Sequence, residues 1–548
     1  MTGFAVYDPV ETGLLGNHEV AMLLEEFRVE NSQCFPFVLL DESISTDDFR
    51  HAQPFLFLSI MAVMSYRTPG VQNSLAEEFR DQVAFRITDC SLKGLEALQA
   101  LLIHVAYYHF FYKPGKQQLA LMVQMCVATA QDLGLARKLR DRDVFSSAPR
   151  APPAEDRALL GTYFISAVFA QAWRKRTSMP YTRSIARAYQ SFSEQPQHPS
   201  DLLIAPLVQL GDLICRINDY FSYDNIEDSE INGETLLVLS TNNFRTELLH
   251  FRESLPESIR RNVTLRLACD IIDVMIHECS FHENLWHKTI PNPSATMSQA
   301  RKVMLQRSLV ASQTFARSLL GTPLSSYHHL AFPAWSGWFY STMLVVKMII
   351  LRQTGTTANL RVSSVPHAVG DFLPREFETL SQTDLGDGTS TAEEVELVSI
   401  FESFIAKLNT VLSSNESNDK ADCASTRKPF LHKVATLQTG LLAGVKKLTE
   451  KKRNESTSTG TNDDVLAQHS EPMSSIMQDS APGPDPYQHG RSNQSTEYTT
   501  PLYHMQSADS LGFGYLDGYP SIGDSMPQLP VDDWLWTMAM NDGNLFTL

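Results

Sequence analysis

Cysteine is scarce and scattered in this sequence: seven in 548 residues, at Cys34, Cys90, Cys126, Cys215, Cys269, Cys279 and Cys423. The number is odd and no C-x-x-C pair occurs, which argues against a disulfide scaffold and a thiolate zinc site. A reducing compartment is the simplest setting. Long apolar runs are lacking as well. The most apolar stretch, Met343 to Leu351, is broken by Lys347 and falls far short of the ~20 residues a membrane helix needs. The opening MTGFAVYDPVETG has no basic start followed by an apolar core, so no signal peptide is read. A soluble, intracellular chain without membrane contact is expected. G-x-S-x-G, the P-loop, G-x-G-x-x-G and H-E-x-x-H are all missing. No catalytic, cofactor-binding or metal residue is therefore assigned, and no cofactor is expected.

Two further absences shape the fold. Period-two alternation and Gly-rich hairpin signals are not sustained anywhere, and no fixed-period repeat is visible, so the fold class read is all-α. Basic residues are nearly missing from the far end: Asn454 to Leu548 holds thirteen acidic residues and only Arg491, a balance of −12 within a formal total of −17. Such a segment repels phosphate, so it is not a nucleic-acid contact.

The chain is organised around Lys93 to Arg137. Leu95, Leu98, Leu102, Val105, Ala106 and His109 share one helical face, and Leu119, Met122, Val123, Cys126, Ala130 and Leu133 share another. Lys113-Pro114-Gly115 separates them, and Gly134 sits where a helix end wants a left-handed residue. The pair reads as an αα-hairpin too apolar all round for a surface. Around it, helices are expected at His18–Arg28, from a Thr46-Asp47-Asp48 cap through Pro54 to Met64, and at Leu75–Ile87. Others follow at Glu155–Arg176, Leu202–Tyr223, Asn243–Ser254, Val263–Glu283, Gln299–Leu320, Trp335–Leu351 and Thr391–Leu412. Arg174, Lys175 and Arg176 suit the negative end of their helix. The domain plan is an N-terminal arm (1–17), one large helical regulatory domain (18–412), a polar and basic linker (413–453) with a short weak helix at Phe430–Lys447, and an acidic tail (454–548). The tail is rich in Ser, Thr, Pro, Gly and Asn, and is expected to be disordered.

In order and spacing, several stretches resemble the middle homology regulatory region of fungal zinc-binuclear-cluster transcription factors. They are Phe35-Pro-Phe-Val with Gln53-Pro-Phe-Leu, the LEALQALLIHVAYYH…QQLALMVQMCVATAQDLGL hairpin, and ALLGTYFISAVFAQAWRKRTSMPYT. FRESLP at Phe251–Pro256 and FPAWSGWFYSTMLVVKMIILR from Phe332 complete the set. The resemblance covers about residues 20 to 410 and implies an all-helical nuclear transcriptional regulator of a specific gene set, such as a metabolic or biosynthetic cluster. Such proteins normally open with a six-cysteine zinc cluster that reads DNA. Here only Cys34 lies in the first 89 residues, so DNA contact is not expected from this chain alone. A homo- or heterodimer with a DNA-binding relative is the partner the resemblance suggests.

The terminal segment 531–548 mixes acids with aromatics: Asp532, Asp533, Trp534, Leu535, Trp536, Met538, Leu545 and Phe546. Acids keep the aromatics in solvent until they fold into a partner's groove, the form of an activation segment that meets the transcription machinery or a co-activator. The plainer alternative is a tail that docks back on its own body. Lys446, Lys447, Lys451, Lys452 and Arg453 read as a nuclear localisation signal or as a merely solvated cluster. His104, His109, Tyr107 and Tyr108, with Met122, Met125 and Cys126, read as core filling, the histidines hydrogen-bonded. One enzyme reading is set against all this. Asn218 and Ser222 match two positions of the second metal motif of class I terpene synthases, Mg²⁺-dependent all-helical enzymes. The third position is Ile226, with Glu227 about 100° off the face. The paired Asp-rich motif is also incomplete, since Asp47-Asp48 is followed by Phe49, Arg50 and His51.

Overall fold

The computed structural model describes residues 7–88, 94–112, 118–136, 153–226, 229–286, 297–353, 387–416 and 429–459. Among these the fold is all-α, with no strand. The longer helices are α1 (Asn17–Glu26), α2 (Thr46–Ala52), α3 (Pro54–Met64), α4 (Pro69–Thr88), α5 (Leu95–Ala106), α6 (Leu119–Asp132), α7 (Pro153–Ala172) and α8 (Arg183–Glu194). They continue as α9 (Ile204–Phe221), α10 (Glu234–Ser254), α11 (Val263–His277), α12 (Gln299–Leu320), α13 (Phe332–Gln353), α14 (Asp387–Glu416) and α15 (Phe430–Thr459).

Local chemistry sets the ends. Ser45, not Thr46, caps α2: its hydroxyl accepts from the Asp48 N–H at 3.1 Å. Pro54 stands at the first turn of α3, where its missing donor costs nothing. Asn262 and Ser298 cap α11 and α12 through the Leu265 and Arg301 amides. Gly134, at φ 64°, closes α6, its N–H donating to Gln131 at 2.8 Å.

The centre is a layer of three apolar helices. Ten residues of α3, ten of α5 and sixteen of α7 are buried, each large side chain contributing about 1.5–3 kcal/mol of transfer energy. α5 packs on α3, α6 and α7, and α7 also meets α8, α9 and α13. The hairpin differs from expectation in two respects. α5 ends at Ala106, well before Pro114, so His109 sits in a short 3₁₀ turn (Tyr108–Phe110) rather than on the helical face. And α6 is not buried all round: Ala120, Leu121, Gln124 and Ala128 face solvent, with Leu121 56% exposed.

The turn at Phe35–Val38 crosses α7 at Gly161. A Cβ there would stand 2.6 Å from Phe37 Cβ, while Phe37 stacks on Phe164 with ring centres 5.4 Å apart. Gly161→Ala is expected to cost about 1–3 kcal/mol by overpacking, read as a lowered urea midpoint. An unchanged midpoint would show that the crossing is loose.

Toward the C-terminus the packed body outruns the sequence-derived boundary at 412. α14 reaches Glu416, and α15 buries Leu431, Val434, Leu437, Gln438, Leu441 and Val445, in stretches read as linker. Phe430, the first residue of α15, stands 4.6 Å from the His109 ring and 5.0 Å from Trp335. The indole N–H of Trp338 donates to the buried Gln438 amide oxygen at 3.2 Å. Among the described residues no helix is long and apolar enough to cross a membrane.

Candidate functional site

Among the described residues, a charge cluster in the core and a cleft open to solvent gather chemistry-bearing side chains. The core cluster begins where α7 stops. Beyond Ala172 the chain turns at Arg174, in the left-handed region at φ 50°, and the Lys175 N–H bonds back to Ala170 O at 2.9 Å. That turn aims the guanidinium inward. It donates to Glu278, a carboxylate with no solvent exposure, just after α11. The Tyr340 hydroxyl of α13 donates to the other carboxylate oxygen, and His282 Nε2 lies 3.1 Å from the first. Tyr223 and Tyr340 flank the guanidinium carbon at 5.2 and 5.3 Å.

Burial alone would raise the Glu278 carboxyl. Arg174, His282 and Lys347 override it, and the group is held well below the usual carboxylate range. Burial pushes the His282 imidazole down, against the opposing pull of Glu278. Four elements from α7, α9, α11 and α13 thus meet at one satisfied ionic contact. None of these residues was singled out in the sequence except Arg174, read as a helix end, and Lys347, read as a break in an apolar run. The signal available was a pair of acids, Asp273 and Glu278, in the otherwise apolar IIDVMIHECSF.

The cleft lies between α4 and the α5–α6 hairpin and has a volume of about 580 Å³. Glu77, Arg80, Asp81, Val83 and Ala84 form one wall; Leu121, Met122 and Met125 form the other. His104, Tyr108 and Phe111 close its end, with Gln118 beside them. His104 is sandwiched between Phe79 and Phe111, ring centres 4.3 and 4.4 Å away. Burial pushes its pKa down to about 3, and Arg80 adds to the shift, so the ring is neutral. The Tyr108 hydroxyl accepts from the Gln118 amide at 2.6 Å.

Other residues marked in the sequence fall elsewhere. Asn218 is buried on α9, but that helix ends at Phe221 and Ser222 turns left-handed at φ 52°. The three positions of the enzyme reading therefore do not share a helical face, and among the described residues no group of three or more His, Cys, Asp or Glu could hold a metal ion. His109 and His104 are buried as expected, yet both ring nitrogens of His109 and Nδ1 of His104 have no hydrogen-bond partner among the described residues. Lys446 pairs with Glu402 of α14 at 2.6 Å. Lys447, Lys451, Lys452 and Arg453 ride on α15, and their side chains lie outside the described residues. So does the whole segment 531–548, with Asp532, Asp533, Trp534, Leu535, Trp536, Met538, Leu545 and Phe546.

Comparison with known proteins finds distant relatives. The chain is 24% identical over 219 residues to transcription factor himD of Aspergillus japonicus, covering 38% of this chain and 36% of that protein. It is 23% identical over 329 residues to transcription factor opdL of Penicillium oxalicum, covering 57% and 56%. Over 149 residues it is 26% identical to weak acid resistance protein 1 of Saccharomyces cerevisiae, covering 26% and 16%. The chain is thus distantly related to fungal transcription factors, and the matches span at most 56% of these relatives' length. No family model and no solved structure matches it.

Proposed function

We propose that the chain is a nuclear, non-enzymatic transcriptional regulator of fungal type, controlling a specific gene set such as a metabolic or biosynthetic cluster. The observation that carries this reading is similarity to named fungal transcription factors over as much as 57% of the chain, in a body whose described residues form helices and no strand. In this reading the helices form the middle regulatory domain. The acidic segment around Trp534 and Trp536 engages the transcription machinery or a co-activator. DNA is reached through a homo- or heterodimer with a DNA-binding relative, and the basic run from Lys446 to Arg453 serves nuclear import. The chemistry of the segment supports its role: two carboxylates beside two indoles stay solvated alone and can bury the rings in an apolar groove.

The test fuses residues 454–548 to a foreign DNA-binding domain. Reporter expression is expected to rise, and Trp534→Ala with Trp536→Ala is expected to return it to background. Silence of the unsubstituted fusion would end the activation claim.

A further inference from the structure

The cleft beside α4 is given no role by that reading, although its construction is specific. Its volume of about 580 Å³ falls within the ~300–1,000 Å³ of small-molecule sites. One wall is thioether and aliphatic, from Leu121, Met122 and Met125, and adapts to irregular shapes. The end is flat and aromatic: Phe111, His104 and Tyr108, all buried.

The polar wall narrows the ligand class. Arg80 is half-buried, and its guanidinium stands 3.7 Å from the Glu77 carboxylate, too far for a hydrogen bond. Its planar donors are therefore positioned for an acceptor brought in by a ligand. Tyr108 receives the Gln118 amide on its oxygen and keeps its own proton to donate. A carboxylate ligand would meet Glu77 and Asp81, both exposed at the rim. Two carboxylates at the rim repel a third, so an uncharged acceptor is favoured.

We propose that this cleft binds a planar, uncharged, ring-bearing small molecule that presents a ketone or lactone carbonyl to Arg80 and Tyr108. The ring lies between Phe111 and the Met122–Met125 face. The inference rests on the reading of the helical body as a regulatory domain, for which this molecule is the effector. Because the cleft is walled by the central hairpin, an occupant touches α4, α5 and α6 together, and its binding energy biases how they pack.

The experiment titrates the purified full chain with prodan, a neutral naphthyl ketone whose emission shifts to the blue out of water. Saturable, blue-shifted binding is expected. The carboxylate analogue 6-dimethylamino-2-naphthoate is expected to bind more weakly by about tenfold or more. Arg80→Met is expected to weaken prodan by about tenfold, the loss of one charge-assisted hydrogen bond. Leu121→Arg, at a position 56% exposed, keeps the fold and is expected to block the mouth. Met122→Trp fills the interior, and a thermal melt checks that it still folds. Absence of saturable binding, or binding unchanged in both Arg80→Met and Leu121→Arg, would overturn the site. Equal or tighter binding of the carboxylate would overturn the ligand class. The reporter reads the tail and prodan reads the body. A silent tail with intact prodan binding therefore defeats only the proposed function, and the reverse defeats only this site.

Discussion

Arg174→Ala is expected to remove about 3–5 kcal/mol of stability, the cost of leaving one member of a buried ion pair uncompensated. Glu278 is fully buried, and its two oxygens receive Arg174, Tyr340 and the His282 ring. Without the guanidinium, two neutral-group hydrogen bonds must hold a carboxylate in an apolar interior. Domains are stable by only about 5–15 kcal/mol in all, so the loss should be plain in a urea titration at pH 7. The partner experiment separates pairing from packing. Arg174→Met with Glu278→Leu removes both charges and is expected to recover most of the loss, because apolar replacements of a buried pair are often neutral. A second comparison uses the backbone. Arg174 sits at φ 50°, which costs a residue bearing a Cβ about 1–2 kcal/mol. Arg174→Gly should therefore be milder than Arg174→Ala by about 1 kcal/mol. A midpoint for Arg174→Ala within error of the parent would show that the contact is not structural.

The same cluster illustrates what the sequence discloses and what it withholds. Strong helical periodicity is local, so α12 lies at Gln299–Leu320 as the pattern demands, and Gly134 ends α6 where expected. α10 begins at Glu234 instead of Asn243, because exposed Leu236 and Leu239 blur its face and only Leu237, Val238, Thr241 and Leu248 are buried. α15 escapes detection as a core element since Lys, Thr and Gln dilute its apolar positions. Gln438, wholly buried, is there to accept from Trp338 rather than to be apolar. Pairings between distant segments, such as Arg174 with Glu278, leave no local pattern. The polar wall of the cleft is hidden for another reason: Glu77, Arg80, Asp81 and Ala84 repeat at helical spacing and read as an ordinary solvated face. Only the packing of the hairpin end against them makes the space between concave.

Acidification from pH 6.5 to pH 5 is expected to cost the helical body about 3 kcal/mol from two histidines alone, the buried His104 and the half-buried His328. Burial pushes His104 down to about 3, with Arg80 adding to it. Burial likewise pushes His328 to about 3, helped by His329 and Arg67. In the unfolded chain each imidazole takes its proton near pH 6.5. Between those values the unfolded state binds a proton that the folded state refuses. Stability is then complete above about pH 6.5 and falls as pH drops, by about 1.4 kcal/mol per unit for each ring, until the folded value near 3 is reached. His109, His277 and His282 are lowered by burial too and act in the same direction. Glu278 adds a second window: its folded pKa is depressed, so its contribution is present above the unfolded value of about 4.3 and lost below it. Urea midpoints at pH 7, 6 and 5 measure the slope. His104→Phe, which keeps a flat ring between Phe79 and Phe111, is expected to reduce that slope by about 1.4 kcal/mol per unit while leaving stability at pH 7 nearly unchanged. Flat midpoints from pH 7 to pH 5 would mean that these rings take up protons in the folded chain, and that the interior around His104 admits water.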